Sequence, residues 1–272
     1  MTPFVWNGKL MRMEWAHSDR EETVIRDCET GKIISEVTDE IYFPSGILDG
    51  DTFHVTGVDK KHRDTILIFS SKDLQRWEKR VLLKREGWYY YNTCMTKDDK
   101  GYALVMEAGK PSEYVGEYPF TFFFATSPDL KIWNHVGDDL GFSQNRYMGG
   151  PWMRYSEGWY YVVSVTELPC LRYANYIYRT RDFKEWQIGF YNPMHMPGPE
   201  DLELSPNAAD ITPEFYEKIQ KSFHINVSDM DMCDYNGKLY INYCCGNQQG
   251  FGYIAEGEYD GTMAEFLKAF FE

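Results

Sequence analysis

Short runs of apolar and aromatic residues alternate with tight turns along most of the chain. One such stretch is residues 228–250, SDMDMCDYNGKLYINYCCGNQQG. It predicts two strands around an Asn236-Gly237 turn, the strongest short-range signal for a β-hairpin. Further hairpins are predicted at 2–15, 43–58, 92–108 and 149–167, with turns at Asn7-Gly8, Asp49-Gly50, Asp98 to Gly101 and Glu157-Gly158. The chain is therefore predicted to be all-β.

Three segments repeat one pattern at a nearly constant spacing. They are FSSKDLQRWEK (69–79), ATSPDLKIWNH (125–135) and YRTRDFKEWQI (178–188). Each has an Asp, then a large apolar residue, and a Trp four residues after the Asp. The Asp side chain can hydrogen-bond its own backbone to form a turn, and the Trp offers a large face for packing. The three Asp residues (Asp73, Asp129 and Asp182) lie 56 and 53 residues apart, which is close to the length of a propeller blade.

The hairpins and repeats together predict five units of about four strands each. The units fall near residues 2–38, 40–87, 88–144, 145–195 and 224–262. Four-stranded sheets repeated around an axis form a β-propeller, so residues 1–272 are predicted to be a single five-bladed propeller domain. A β-sandwich would not explain the constant spacing from Asp to Trp.

Two segments do not follow this period. Residues 211–224 predict a helix, because Thr212 can cap its N-terminus and Pro213 suits the first helical position. This helix follows a proline-rich loop at 192–210, and the two form an insertion before the last blade. The C-terminal residues 263–272 predict a short helix that docks through its Phe and Leu side chains.

Composition narrows the classes of partner and the compartment. The formal net charge is −14 and there is no basic run, so nucleic acid and anionic membrane surfaces are not expected to be partners. The first ten residues lack the pattern of a signal peptide, which predicts a cytoplasmic protein unless a signal has been removed. Six cysteines without C-x-x-C spacing are interpreted as buried thiols. The sequence does not indicate an oligomeric state.

The repeated Asp-to-Trp turns resemble those of the β-xylosidase and arabinofuranosidase type of glycoside hydrolase, family 43 and its relatives. The last unit, with SDMDMCDYNGK and GNQQG, resembles a divergent branch of that superfamily. The resemblance implies a five-bladed propeller whose central pocket holds a carboxylate base, a second carboxylate that tunes pKa and orientation, and a glutamic acid proton donor. Two positions depart from that pattern. Gly150 stands where the donor Glu would be expected, and Thr2-Pro3 stands where an Asp-Pro pair would be expected.

Carboxylates at the open ends of the predicted hairpins should converge on this pocket. Hydrolysis of a glycosidic bond needs one carboxylic acid and one carboxylate, and mutual repulsion can raise the pKa of one of them. Asp229 is predicted as the base and Glu107 or Glu167 as the acid, with Asp231 and Glu14 as supporting groups. The alternative for each of these glutamates is a solvated or salt-bridged loop acid, and for Asp231 a structural role.

Other polar and aromatic residues near the same openings could hold a sugar. The candidates are Asn92, Thr93, Arg146, Asn247, Gln248, His62 and Trp88. Arg146 could instead pair with the acids, His62 could be a surface residue, and the aromatic run that begins at Trp88 could belong to the core. No EF-hand spacing and no His-x-x-x-His pattern is present, so neither a metal nor another cofactor is predicted.

The leading functional prediction is a glycosidase that acts on a small oligosaccharide or glycoside. A pocket around a propeller axis suits the removal of a terminal sugar. The first alternative is a non-catalytic carbohydrate-binding propeller, which the two missing acids favour. The second is a glycoside phosphorylase, which should cluster Arg, Lys and His around a phosphate.

Overall fold

The computed structural model describes residues 1–16, 21–111, 121–136, 146–205, 208 and 211–272. Within these ranges more than half of the residues lie in β-strands, which form four sheets. The first three sheets are four-stranded antiparallel meanders. Sheet 1 holds β1 (Thr2–Trp6), β2 (Lys9–Ala16), β3 (Glu22–Asp27) and β4 (Ile33–Thr38). Sheet 2 holds β5 (Ile41–Asp49), β6 (Thr52–Asp59), β7 (Thr65–Ser71) and β8 (Glu78–Lys84). Sheet 3 holds β9 (Tyr89–Asp98), β10 (Gly101–Lys110), β11 (Thr121–Ser127) and β12 (Asn134–His135).

The fourth sheet has seven strands and contains two of the predicted units. Its first part is β13 (Met148–Ser156), β14 (Trp159–Leu168), β15 (Arg172–Thr180) and β16 (Trp186–Ile188). Its second part is β17 (Asn226–Tyr235), β18 (Lys238–Gly246) and β19 (Gly252–Tyr259). The parts are joined by a parallel pairing of β15 with β17 at Tyr173 and Asn226.

The all-β prediction is confirmed, and so is the division into successive antiparallel meanders. The count of five blades stays a prediction, because the last two predicted units share one sheet. The predicted boundary between residues 144 and 145 lies outside the described residues.

Both predicted helices are present. A 3-10 turn at Pro199–Leu202 precedes α1 (Pro213–Lys221), and α2 (Met263–Ala269) lies near the C-terminus. The Thr212 hydroxyl accepts the Phe215 amide at 3.2 Å and so caps α1 as the sequence predicts. Leu267 and Phe271 are buried in the core. Among the described helices, none has the length and apolar character needed to cross a bilayer.

Apolar side chains fill the spaces between successive sheets. Phe4 of sheet 1 stacks on Phe53 of sheet 2 with ring centroids 3.9 Å apart. A second cluster joins sheet 2 to sheet 3 and includes Ile68 and Phe123. A third joins sheet 3 to the fourth sheet and includes Trp152. Face-to-face packing of this kind places the first hairpins of neighbouring sheets beside one another.

The repeated Asp residues form turns of one design. Asp129 Oδ1 accepts the backbone amides of Lys131 at 2.9 Å and Ile132 at 3.1 Å. The residue after the Asp adopts a left-handed conformation, with φ of 63° at Leu130, and its side chain is buried. The turns at Asp73 and Asp182 repeat these bonds and this conformation at Leu74 and Phe183. The carboxylate therefore fixes a backbone shape that inserts an apolar side chain into the core.

Replacing Asp129 with Ala should lower the urea midpoint of unfolding more than replacing it with Asn. Alanine removes the acceptor for two backbone amides, whereas asparagine keeps one oxygen in place. The two backbone hydrogen bonds lower the pKa of Asp129, so this stabilisation should be present above the ordinary carboxyl pKa and fade in acid. The exposed neighbour Lys131 serves as the control, as Lys131→Ala. Equal midpoints for the Ala and Asn variants would contradict this role of the carboxylate.

Candidate active site

Glu107 is the buried carboxyl group around which the candidate site is built. It lies on β10 where the pairing with β9 is irregular, so that two residues, Tyr91 and Asn92, stand opposite it. Its Oε2 accepts the Asn92 side-chain amide and the Gly150 backbone amide, both at 2.9 Å. The residue is 3% exposed.

Asp229 reaches the same place from β17. A β-bulge between Ser228 and Asp231 interrupts the pairing of β17 with β18, and Asp229 has a φ of 49°. A Cβ atom placed on Gly150 would lie 3.1 Å from Asp229 Oδ1. Gly150 therefore contacts both acids: its amide holds Glu107, and its missing side chain leaves room for Asp229.

The bulge recurs in the first hairpin of several units. The first strands β5, β13 and β17 each carry one extra residue there, and the residue that opens each bulge has a φ near 50°. These residues are Phe43, Gly150 and Asp229. A non-glycine residue with positive φ is strained, and such strain is concentrated at functional sites. The bulges thus change the direction of the backbone at equivalent positions in β5, β13 and β17.

Burial raises the pKa of Glu107 to about 7. The hydrogen bonds from Asn92 and Gly150 oppose this rise, the negative charge of Asp229 adds to it, and the positive charge of Arg63 opposes it. Glu107 thus combines the low dielectric and the neighbouring like charge that keep a carboxylic acid protonated near neutral pH.

A chain of side-chain hydrogen bonds leads to Asp229. Gln248 Nε2 donates to Asn226 Oδ1 at 2.7 Å, and Asn226 Nδ2 donates to Ser228 Oγ at 3.0 Å. Ser228 Oγ then donates to Asp229 Oδ2 at 2.7 Å. This chain orients the carboxylate, and among the described residues it supplies a proton donor to Oδ2 alone.

Arg63 lies near Glu107 within a group of aromatic rings. Its guanidinium carbon is 4.4 Å from the ring centroid of Tyr89, 5.0 Å from Tyr42 and 5.1 Å from Tyr91. It donates to the Tyr90 carbonyl at 2.7 Å, which fixes its position. His62, the residue predicted from this loop, is exposed, whereas the positive charge of Arg63 acts on Glu107.

Tyr147 adds a hydroxyl near both acids. Burial raises its pKa, and the charges of Glu107, Asp229 and Glu167 add to the rise. Its ring lies 5.8 Å from that of Tyr173 in an edge-on arrangement. Glu167 is exposed on β14, so it lies toward the solvent side of this group.

Two of the predicted supporting acids are held by arginines. Asp231 is buried, and its Oδ1 accepts Trp152 Nε1 at 2.5 Å and Arg154 Nη2 at 3.0 Å. Glu14 accepts Arg12 Nε at 2.7 Å and Arg26 Nε at 3.1 Å. For both residues the structure supports the structural alternative, and a role in catalysis stays a prediction.

Three predicted sugar-binding residues have other surroundings. Trp88 is 5% exposed and packs on Tyr90 and Phe123, which corrects its assignment from a stacking platform to the core. Thr93 is buried, with its hydroxyl 3.2 Å from that of Thr56. Arg146 lies beside the Tyr178 hydroxyl.

The remaining predicted amides differ in position. Asn92 touches Glu107 directly, and Gln248 reaches Asp229 through Asn226 and Ser228. Asn247 Oδ1 accepts the amides of Gln249 and Phe251 at 2.9 and 3.2 Å, so it shapes the turn between β18 and β19. The structure therefore brings together Glu107, Asp229, Asn92 and Glu167 from the predicted set. Arg63, Gly150 and Tyr147 join them. No role was predicted for Arg63 or Tyr147, and Gly150 was expected only as a departure from the family pattern.

Solved structures with a similar fold include glycoside hydrolases. A structure described as a glycoside hydrolase superposes with a TM-score of 0.65 at 14% identity, over 97% of this chain and 88% of that one. An exo-1,5-α-L-arabinanase from a bovine ruminal metagenomic library gives 0.59 at 11%, over 94% and 91%. An α-L-arabinofuranosidase from Clostridium thermocellum gives 0.55 at 13%, over 96% and 90%. No protein-family model and no curated protein sequence matches the chain. The chain thus has a glycoside hydrolase-like fold.

The raised pKa of Glu107 predicts a pH dependence of stability. Between the ordinary carboxyl pKa and about 7, the unfolded chain is ionised at this position while the folded chain keeps its proton. The free energy of unfolding should therefore fall as pH rises through this window, by up to about 3 kcal/mol, and level off above it.

Urea unfolding of Glu107→Gln and of the unmodified protein at a series of pH values measures this effect. The difference between their unfolding free energies should change across the window, because glutamine does not titrate. A difference that stays constant from pH 4.5 to 8 would show that the pKa of Glu107 is not raised.

Proposed function

We propose that the protein is a glycoside hydrolase in which Glu107 is the general acid and Asp229 the base or nucleophile. The observation that carries this proposal is the placement of two carboxyl groups against Gly150, one buried with a pKa of about 7 and one hydrogen-bonded by Ser228. Glycoside hydrolysis requires one protonated and one ionised carboxyl group at the scissile bond.

The hydrogen bonds assign the proton of Glu107 to one oxygen. Oε2 accepts N–H groups from Asn92 and Gly150, so the acidic proton resides on Oε1. As the bond between the anomeric carbon and the glycosidic oxygen breaks, this proton passes to the departing oxygen. Loss of the proton leaves a carboxylate that the same two N–H groups stabilise.

Asp229 supplies the electron pair on the other side of the reaction. Ser228 occupies Oδ2, which leaves Oδ1 as the stronger base. In an inverting course Oδ1 takes a proton from the water that attacks the anomeric carbon. In a retaining course Oδ1 bonds to that carbon, and water later releases the sugar with Glu107 acting as base.

This arrangement accounts for the glycine at position 150. A glutamate there would meet Asp229, since even a Cβ atom would lie 3.1 Å from Oδ1. The carboxyl group of Glu107 instead reaches the Gly150 amide from the neighbouring sheet. The acid is thus supplied by β10, and the glycine provides space and a hydrogen-bond donor.

The groups around the two acids support a sugar as the substrate. Tyr91 and Tyr147 offer aromatic faces and hydroxyls, Asn92 offers an amide, and the exposed Glu167 can accept sugar hydroxyls. The superposed arabinofuranosidase makes α-L-arabinofuranosides the first substrates to test. We propose a small glycoside whose terminal sugar is removed.

Glu107→Gln and Asp229→Asn should each lower kcat on the best aryl glycoside by at least about 100-fold. A panel of nitrophenyl furanosides and pyranosides, with and without inorganic phosphate, identifies that substrate. The control is Glu78→Gln, the same isosteric change at an exposed carboxylate on β8.

Three outcomes of this panel would contradict the proposal. Turnover that survives both substitutions would exclude these roles. Turnover that requires phosphate would identify a phosphorylase. Thermal stabilisation by monosaccharides without turnover of any glycoside would identify a binding module, because a ligand that binds the native state raises stability.

The pH profile of kcat/KM provides a separate test of Glu107. Activity should fall above about pH 7 as the acid loses its proton. The charge of Arg63 lowers the pKa of Glu107, so Arg63→Gln should move this fall to higher pH. Lys61→Gln, an exposed change in the same loop, is the control. A fall that stays in place or moves to lower pH in Arg63→Gln would contradict the electrostatic coupling.

A further inference from the structure

A second group of polar side chains lies where the insertion meets the last part of the fourth sheet. Asp201 comes from the 3-10 turn of the insertion, His224 from the segment between α1 and β17, and Cys245 from β18. One potential ligand atom from each residue lies within 4.8 Å of those of the other two. Three distant parts of the sequence thus converge on one point.

These three side chains are withdrawn from solvent. The Asp201 side chain is 4% exposed and that of His224 is 6% exposed, while Cys245 is 1% exposed. Charged and imidazole groups are rarely buried to this degree without specific partners. Burial also makes Cys245 inaccessible as a nucleophile for an external substrate.

Asp201 organises the group. Its Oδ2 accepts the Gly198 amide at 2.8 Å and contacts His224 Nε2 at 2.9 Å, and its Oδ1 accepts the Tyr243 hydroxyl at 2.8 Å. The Nε2 of a second imidazole, His195, lies 3.8 Å from Oδ1. A carboxylate, an imidazole and a thiol therefore surround a single location, and a second imidazole lies near the other carboxylate oxygen.

We propose that this group is a structural zinc site held by Asp201, His224 and Cys245, with a water molecule as the fourth ligand. A thiolate combined with an imidazole and one carboxylate suits zinc, whereas calcium and magnesium prefer oxygen ligands alone. Ligand atoms around a tetrahedral zinc ion lie roughly 3.5 Å apart, so side-chain shifts of about 1 Å bring the present atoms into range.

The site has a mechanical consequence. Asp201 and His224 belong to the insertion and Cys245 lies within β18, so one ion would fasten the insertion to the fourth sheet. Cys245 follows Cys244 on the strand that pairs with the bulged segment at Asp229. Zinc would thereby also steady the strand beside the candidate active site, without touching the substrate.

Metal titration of the full chain tests the proposal. After removal of metal with a chelator, the protein should bind one equivalent of Zn²⁺ and raise its melting temperature. Co²⁺ in place of Zn²⁺ should give a near-ultraviolet charge-transfer band from a thiolate ligand. That band reports Cys245 in the unmodified protein, so the test does not depend on a variant that folds.

Substitutions then assign the ligands. Cys245→Ser and His224→Gln should each weaken Zn²⁺ binding by more than about 100-fold, and Cys245→Ser should abolish the cobalt band. Cys170→Ser, which removes an exposed thiol, should leave the stoichiometry and the band unchanged.

Two results would overturn the proposal. One is the absence of stoichiometric Zn²⁺ binding by the unmodified protein. The other is binding with a cobalt band that survives in Cys245→Ser. Both are measured without any activity assay, so they are independent of the proposed hydrolase function.

Discussion

The buried hydrogen-bonded contact between Glu107 and Gly150 is the constraint on which the candidate site depends. The Gly150 amide and the Asn92 side chain hold one carboxyl oxygen, while the absence of a side chain at Gly150 admits Asp229. A carboxyl group buried in this way resists ionisation, and the nearby negative charge strengthens that resistance. The chemical asymmetry between the two acids follows from this one contact.

The rest of the fold serves to bring these groups together. Glu107 belongs to sheet 3, whereas Gly150 and Asp229 belong to the two parts of the fourth sheet. Apolar clusters pack the sheets face to face. The buried ion pair between Arg154 and Asp231 links β13 to β17. Because a buried ion pair gives orientation more reliably than net stability, its clearest contribution is to fix the two strands that carry Gly150 and Asp229.

Much of the fold could be predicted from local patterns in the sequence. The tight turns and the spacing from Asp to Trp identify the meanders, because both depend on interactions within a few residues. Glu107 and Asp229 could be selected because acids at hairpin openings share one end of each unit. The sharing of one sheet by the last two units could not be predicted, since it depends on a single long-range pairing at Tyr173 and Asn226.

The errors in predicting site residues share one physical cause, which is their dependence on tertiary contacts. Arg63 acts through a guanidinium folded back over aromatic rings, and its neighbour His62 in the same charged loop gave the more familiar signal. Trp88 was predicted to stack on a sugar, yet Trp88 and the nearby Tyr90 are buried in the core. The ligands of the proposed zinc site lie at residues 201, 224 and 245, and no local spacing rule connects them. Tertiary contacts alone bring such residues together.

The pKa of Glu107 in the folded protein is the most direct test of this account. Carbon-13 NMR of protein labelled at the glutamate side-chain carboxyl carbon measures it, and the resonance is assigned by its absence from Glu107→Gln. The account predicts one glutamate that titrates near pH 7, well above the ordinary value of about 4.3. A Glu107 resonance that titrates with the other glutamates near pH 4 would contradict the assignment of Glu107 as the acid.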